Sequence, residues 1–393
     1  MRAAALLPVR GAIAILGVLL LVLLIPSVRD AFWGLLFLGD FVAGERTTPF
    51  DLLTPEPETT SGELTAGDGV RVPFDFYSPP ASGGERLPAF LLAHGAVHEG
   101  NRDARVIAMA RRLAGCGFAV MAPDLLQMKS YRLGFEDADA LAACLEYLFE
   151  SALVDGGRVG VVAPSFGAGP MLMALGRPGL GGRVRFGLLF GAYYDMRRTL
   201  RFTLTGSYEA PGLPAVDFEA RSRRNRWRLL RGNIDLVPSS PSRGDFAEFV
   251  AARADTPSYD DPVLRAGFSA EERLMLEFTA NTDPARFDSL YPLLPETFRA
   301  WVDTFSLRHH TSGVRTKLLL AHSSADKVIP YPESMALAAD LPDAPAAEVS
   351  ILDLFTHVDI KIDGTSLRAL VTDVIPGLLR IWGIANALMK QRR

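Results

Sequence analysis

The alternation of buried strand patterns with longer helical patterns, which begins near residue 88, constrains the fold of this chain most strongly. PAFLLAH is followed by the amphipathic DARVIAMARRLAGCG and then by FAVMAPD, and VGVVAP and RFGLLFG continue the series. Short apolar runs separated by helical segments are typical of βαβ units. We therefore expect an α/β fold, with a mostly parallel central sheet and helices on both faces.

A long interval, residues 192–315, separates RFGLLFG from the next strand pattern, TKLLLAH. A loop of that length without secondary structure is not expected in a compact domain. Within it, Ser269 and Glu272 form a capping-box signature, and Pro295 opens a second amphipathic pattern. We predict a mostly helical cap inserted after the sixth strand. The predicted divisions of the chain are a membrane anchor with an interfacial segment at 1–46, a linker at 47–60, a first part of the core at 61–191, the cap at 192–315 and a second part of the core at 316–393.

An uncharged apolar run, GAIAILGVLLLVLLIPSV at 11–28, lies near the N-terminus. At about 1.5 Å per residue, a helix of this length nearly crosses a bilayer core. We predict a transmembrane helix that serves as a single-pass anchor, and cleavage as a secretory signal is the alternative. The next segment, 31–39, is too short to span and is expected in the membrane interface, with Trp33 near the headgroups. A slight excess of positive charge before the run favours a cytoplasmic N-terminus and an extracytoplasmic main domain.

Charge and cysteine content exclude several classes of function. The 41 basic and 45 acidic residues give a formal charge of -4, so no global field attracts nucleic acid. Cys116 and Cys144 both lie in apolar helical patterns, which are typical of small buried thiols and not of a disulfide framework or metal cluster. No cofactor is implied, and protein partners are not indicated.

The sequence VVAPSFGAG at 161–169 carries the strongest chemical signal, because it places Ser165 between a buried strand and a helix. A sharp strand-to-helix turn crowds the residues two before and two after the serine, and small residues, Ala163 and Gly167, stand there. The backbone N–H of Phe166, at the start of the following helix, is a candidate oxyanion donor. An ordinary serine N-cap is the structural alternative.

Two other residues suit a serine nucleophile, which needs a base and a group to orient that base. Asp326 follows the strand pattern TKLLLAH, and His357 follows the strand pattern EVSILDL. Because catalytic groups of parallel sheets gather at the carboxyl ends of the strands, Ser165, Asp326 and His357 are expected to converge. Asp353 and Asp359 lie near His357 in the chain and are alternatives for the acid, and Asp124 is a weaker one.

These residues, together with the pair His94-Gly95 after an early strand, resemble the α/β-hydrolase superfamily over residues 61–390. The resemblance implies the α/β-hydrolase fold, a Ser-Asp-His triad and a second oxyanion donor, the backbone N–H of Ala96. It also places a cap after the sixth strand. Ala163 departs from the commoner glycine at the first position of the turn. A metal site built on His94, His98 and Glu99 is the weak alternative for the early loop.

The reaction expected from this set is hydrolysis of a carboxylic ester or related acyl bond through an acyl-enzyme, as in carboxylesterases and lipases. Amidase, thioesterase or acyltransferase activity would use the same triad, and a non-catalytic binding protein is the alternative of another class. The substrate is expected to be a small or lipid-like acyl compound, and the bilayer is the expected partner of the anchor. The cap aromatics that could contact the substrate are Phe278, Phe287, Tyr291, Phe298 and Trp301, although such residues more often form the cap core.

The cap also contains RSRRNRWRLLR at 221–231, in which arginines alternate with Trp227, Leu229 and Leu230. A solvated cationic helix face that packs on its neighbours is the simpler interpretation. Contact with anionic headgroups is the alternative, because each basic residue near a membrane surface contributes about 1 kcal/mol.

Overall fold

The computed structural model describes residues 24–44, 46–67, 69–80, 84–208, 220–255, 267–341, 347–353, 355–356, 359–360 and 374–393. Eight strands form one sheet in the order β1-β2-β4-β3-β5-β6-β7-β8. Their bounds are β1 Glu58–Ala66, β2 Val70–Ser78, β3 Leu87–Leu92, β4 Ala119–Pro123, β5 Val154–Pro164, β6 Phe186–Phe190, β7 Leu318–Ser323 and β8 Glu348–Leu352. A separate antiparallel pair joins β9, Phe355–Thr356, to β10, Asp359–Ile360.

The direction of the strands follows the prediction. β1 and β2 are antiparallel and meet at the Ala66 and Val70 pair. β2 is antiparallel to β4. All the remaining neighbours, from β4 through β3 to β8, are parallel. The expected mostly parallel sheet is confirmed.

Both faces of the sheet are covered, because successive side chains of a strand point to opposite faces. Leu91 and Val161 belong to one apolar cluster, which also holds the cap aromatics. Their neighbours Phe90 and Val162 belong to a second cluster on the other face. This explains why the central strands read as continuous apolar runs instead of alternating ones.

Helices lie in the connections between the strands and at both ends of the chain that the structure describes. In chain order they are α1 Pro26–Ala43, α2 Pro49–Leu53, α3 Ala104–Gly115, α4 Leu126–Lys129, α5 Phe135–Glu150, α6 Ala168–Leu175, α7 Met196–Thr205, α8 Ala220–Gly232, α9 Arg243–Asp255, α10 Ala270–Ala280, α11 Pro284–Leu290, α12 Glu296–Thr304, α13 Pro332–Ala339 and α14 Ile375–Met389. Six of them, α7 to α12, lie between β6 and β7, where the sequence predicts a helical cap. Ser269 and Glu272 form the predicted capping box of α10.

The N-terminal segment differs from the expectation of a short interfacial piece. Residues 31–39 are part of α1, which packs along α14 and buries Phe37 and Leu38 in the second apolar cluster. Trp33 lies under the guanidinium of Arg392, 5.4 Å from the ring centre. Of the predicted transmembrane run, 11–28, residues 11–23 lie outside the described residues. Among the helices that the structure describes, none has the length and apolar character needed to cross a bilayer.

The predicted linker also carries structure. Thr48 and Asp51 form a capping box for α2, and Phe50 is buried against the body of the protein. Strand β1 already begins at Glu58. The proline and threonine content suggested an irregular segment, but Thr48 and Pro49 are instead the N-cap and first residue of a helix, where both are favoured.

Candidate active site

Ser165 lies at the sharp turn between β5 and α6. Its φ is +54°, in the left-handed region that residues with a side chain rarely adopt. The serine is one of two non-glycine residues with positive φ among the described residues, the other being Tyr131. A strained backbone at this point is the geometry that raises a nucleophile above the end of a sheet.

The small neighbours of Ser165 are required by packing. A Cβ atom added to Gly167 would overlap the carbonyl oxygen of His94, and one added to Gly95 would lie 3.3 Å from Cβ of Ser165. Ala163 is completely buried in β5. The two glycines therefore let the turn at Ser165 and the loop after β3 approach each other closely.

His94 holds the loop after β3 in place. Its Nδ1 lies 2.8 Å from the carbonyl oxygen of Gly95, and its Nε2 accepts a hydrogen bond from the N–H of Leu125 at 2.9 Å. Burial lowers the pKa of His94 below its ordinary value. The ring is therefore neutral, with the proton on Nδ1, and both nitrogens are engaged by the backbone. His94 therefore fixes the shape of this loop, and neither ring nitrogen is available to bind a metal.

The two residues expected to supply the oxyanion donors line one cavity. Ala96 and Phe166 line it together with Ser165 and Gly95. Neither backbone N–H donates to a protein acceptor within the described parts of the chain. Two backbone amides that converge on a serine hydroxyl are the arrangement that stabilises a tetrahedral oxyanion.

Asp326 follows the carboxyl end of β7, as predicted, and its side chain is fully buried. Oδ1 accepts hydrogen bonds from the N–H groups of Val328, at 2.7 Å, and Ile329, at 3.0 Å. Oδ2 lies 3.4 Å from Nε2 of His322. A carboxylate held in this way has a fixed orientation.

His322 is a supporting residue that the sequence did not identify. It is completely buried near the end of β7, with Nδ1 2.7 Å from Oγ of Ser334 and Nε2 2.8 Å from the carbonyl oxygen of Ile329. Because a carbonyl only accepts, Nε2 carries a proton. The ring thus positions the loop of Asp326. The only sequence signal was a histidine four residues before the aspartate.

The base candidate, His357, lies outside the described residues; in the chain it falls between β9 and β10. Two of the three alternative acids have other partners, and the side chain of the third, Asp359, is not among those that the structure describes. Asp353 is exposed and pairs with Arg380 at 2.9 Å. Asp124 pairs with Lys129 at 2.8 Å, behind the loop of His94. Asp326 is therefore the buried carboxylate at the expected strand end.

The aromatic residues of the cap separate into two groups. Phe278, Phe287, Tyr291 and Phe298 pack on one another, with ring centres 5.1–6.3 Å apart. These four lie in the cap core and are not among the residues that line the cavity of Ser165. Of the five candidates, Trp301 alone lines the cavity beside Ser165, and its Nε1 donates to the carbonyl oxygen of Leu133 at 3.0 Å. Other apolar residues lining that cavity include Leu133, Met196, Leu200, Leu229 and Val328.

The arginine-rich segment of the cap is not a uniformly solvated face. Arg226 is buried and donates to carbonyl oxygens at the ends of α7 and α10. Trp227 and Leu230 are buried as well. Arg231 pairs with Asp255 at 2.9 Å, and Arg228 lines the cavity of Ser165.

Comparison with known proteins gives structural likeness only. No protein-family model and no curated protein matches the sequence. Among solved structures, the acylaminoacyl peptidase of Pyrococcus horikoshii is 14% identical with a TM-score of 0.45, and the match covers 86% of this chain and 41% of the peptidase. Esterase Pf2001 of Pyrococcus furiosus is 15% identical with a TM-score of 0.43 and coverage of 88% and 96%. Esterase Est22 is 14% identical with a TM-score of 0.47 and coverage of 92% and 88%. This chain thus spans less than half the length of the peptidase.

The assignment of the fold follows from the molecule itself. The strand order with an antiparallel β2, the strained serine after β5, the carboxylate after β7 and the helical insertion after β6 occur together. This chain has the α/β-hydrolase fold.

Proposed function

We propose that the protein is a serine hydrolase that cleaves a carboxylic ester through an acyl-enzyme. The observation that carries the proposal is the strained Ser165, which lines a cavity together with Ala96 and Phe166. Such strain is retained at sites where the surrounding structure needs it. A serine that merely capped a helix would require neither the positive φ nor the two glycine contacts.

In the proposed reaction, Oγ of Ser165 attacks the acyl carbon while His357 takes its proton. Asp326 holds the imidazole in the required tautomer and stabilises the imidazolium. The amides of Ala96 and Phe166 bind the oxyanion, and its collapse expels the alcohol, which receives the proton from His357. Water then attacks the acyl-enzyme by the reverse sequence of proton transfers, releasing the acid and free Ser165.

An ester with an apolar acyl group is supported by the cavity lining. Met196, Leu200, Leu229 and Trp301 from the cap lie on the same cavity as Ser165. Each buried methylene of a substrate contributes up to about 0.8 kcal/mol of binding. We therefore expect medium-chain esters to be better substrates than acetyl esters.

We further propose that the full-length chain is held at a membrane by the run at 11–28. Its length and lack of charge support this. Retention in the pellet after a carbonate wash, with release only by detergent, is the expected result. Release by carbonate or by high salt alone would reduce the run to a peripheral contact.

The triad is tested by measuring kcat/KM with 4-nitrophenyl esters. Ser165→Ala and His357→Ala should each lower it by several orders of magnitude, and the double variant by little more, because the triad acts as a unit. Asp326→Asn should also be severe, since it favours the wrong imidazole tautomer. Asp353→Asn is the matched control and should leave turnover nearly unchanged. Additive losses, or a larger effect of Asp353→Asn than of Asp326→Asn, would refute the assignment.

A further inference from the structure

Arg228 brings a positive charge to the cavity of Ser165. It lies on α8 of the cap and lines that cavity together with Asn225, one helical turn before it. Its Nη1 donates to the hydroxyl of Tyr131 at 2.6 Å, and its guanidinium lies 5.2 Å from the centre of the same ring. Tyr131 also lines the cavity.

The other arginines of this cavity are neutralised by carboxylates. Arg105 pairs with Asp103 at 2.7 Å, Arg112 with Asp40 at 2.6 Å, and Arg132 with Asp235 at 2.7 Å. Arg228 has no carboxylate within ion-pair distance in the described parts of the chain. Its Nε is buried there without an acceptor.

A partly desolvated guanidinium without a counter-charge is costly, and an anion bound in the cavity would offset part of that cost. The acidic side chains that line the same cavity do not supply the negative charge that would neutralise Arg228. Asp103 is already bound to Arg105, and Glu99 is exposed, with no described ion pair to Arg228. The cavity thus combines a nucleophile, an apolar lining and one uncompensated cation.

The partner of Arg228 is held rigidly. Tyr131 has a φ of +58°, and its carbonyl oxygen accepts a hydrogen bond from Nδ2 of Asn233 at 3.2 Å. Gly232 packs closely on the carbonyl oxygen of Ser130, the residue before Tyr131. A Cβ atom added to Gly232 would overlap that oxygen. The end of α8 is therefore clamped to the loop after α4, which preorganises the Arg228 and Tyr131 pair.

We propose that Arg228 binds a carboxylate carried by the ester substrate, so that the natural substrate is a monoester of a dicarboxylic acid or a similar anionic ester. The hydroxyl of Tyr131 accepts its hydrogen bond from Arg228 and keeps its own proton available for the same anion. The amide of Asn225 adds a neutral donor on the same side of the helix. This inference rests on the proposed function, because the anion is recognised while Ser165 attacks the ester.

The test compares two esters of equal chain length, 4-nitrophenyl hexanoate and the mono-4-nitrophenyl ester of hexanedioic acid. With the full-length protein, kcat/KM is expected to be higher for the charged ester. Arg228→Met should lower the value for the charged ester by about 10- to 100-fold, the usual effect of removing a hydrogen bond to a charged group. The kcat/KM for the neutral ester should change by less than about two-fold, which is the size of effect that most surface substitutions have. Arg228→Lys should recover part of the loss, because it restores the charge.

Arg231→Met is the matched control, since Arg231 lies on the same helix but pairs with Asp255 outside the cavity. It should leave both esters unaffected. Equal losses for both esters in Arg228→Met, or no preference of the unmodified protein for the charged ester, would overturn this inference alone. Absence of Ser165-dependent turnover with either ester would overturn the proposed function as well.

Discussion

At the scale of single residues, the site depends on close contacts that only small side chains allow. The sequence indicated Ser165 because Ala163 and Gly167 flank it at the spacing that a sharp turn needs. It indicated His94 only as part of the pair His94-Gly95 in the loop after an early strand, and it did not indicate His322 as a supporting residue. His94 is held by the N–H of Leu125, 31 residues away, and His322 by the carbonyl oxygen of Ile329, 7 residues away, and no periodic sequence pattern encodes such bonds.

Gly167→Ala tests the contact between the turn and the oxyanion loop. Its Cβ atom would overlap the carbonyl oxygen of His94, so either Ser165 or Ala96 must shift. Misplacement by about 1 Å can cost on the order of 100-fold in rate, and we expect kcat for a neutral ester to fall by about that factor. Gly182→Ala, where the added atom meets nothing within 4 Å, should keep kcat. An unchanged kcat in Gly167→Ala would show that the contact is not needed.

His94 predicts a dependence of stability on acidity. Because burial lowers its folded pKa below the ordinary 6.5, the unfolded chain binds the proton first as pH falls. The contribution of His94 to stability is therefore complete above pH 6.5 and is lost progressively below it. His94→Gln keeps an acceptor for the N–H of Leu125 but cannot titrate. Chemical denaturation should show that the free energy of unfolding falls less between pH 7.5 and pH 5.5 in this variant than in the unmodified protein. An equal fall in both proteins would mean that other groups cause the pH dependence.

At the scale of helices and strands, the sequence predicted the alternating core and the existence of the cap, because hydrophobic periodicity is a local property. It could not tell which cap aromatics line the cavity. Helical spacing places Phe298 and Trp301 on one face of α12, yet the first packs in the cap core and the second beside Ser165. The difference depends on how α12 is rotated against α5 and α7, which is set by tertiary packing.

Phe287→Ala and Trp301→Ala separate these two roles. Phe287 is completely buried, so its removal should lower the free energy of unfolding by roughly 3–5 kcal/mol. The relative rates with acetyl, hexanoyl and decanoyl esters should not change. Trp301→Ala should also destabilise the fold, but it enlarges the cavity and should shift the preference toward longer chains. A shifted preference in Phe287→Ala, or none in Trp301→Ala, would contradict the placement of the two rings.

At the scale of the whole molecule, the two ends of the described chain are joined. Asp30 and Asp40 of α1 are buried and pair with Arg393 and Arg112. Trp382 of α14 donates to the carbonyl oxygen of Ala31 at 2.9 Å. The sequence alone suggested a lipid-facing segment here, since an apolar helix that packs on protein and one that lies on a membrane have the same composition.

This packing predicts where the chain can be shortened. A fragment beginning at residue 24 keeps α1 and should be folded and active. A fragment beginning at residue 47 leaves Arg112 without Asp40 and uncovers the partners of Phe37, and the loss of one member of a buried ion pair alone costs roughly 3–5 kcal/mol. Thermal denaturation should show a clearly lower Tm for the shorter fragment. Equal Tm values would mean that α1 contributes little to the stability of the body.

The central claim is that Ser165 is an activated nucleophile. Intact-mass and peptide-mapping measurements after treatment with a fluorophosphonate probe test it without knowledge of the substrate. We predict a single phosphonyl adduct on Ser165, absent in Ser165→Ala and formed much more slowly in His357→Ala, while Gly182→Ala reacts like the unmodified protein. A folded protein that forms no adduct, or one that is labelled on another residue, would contradict the account.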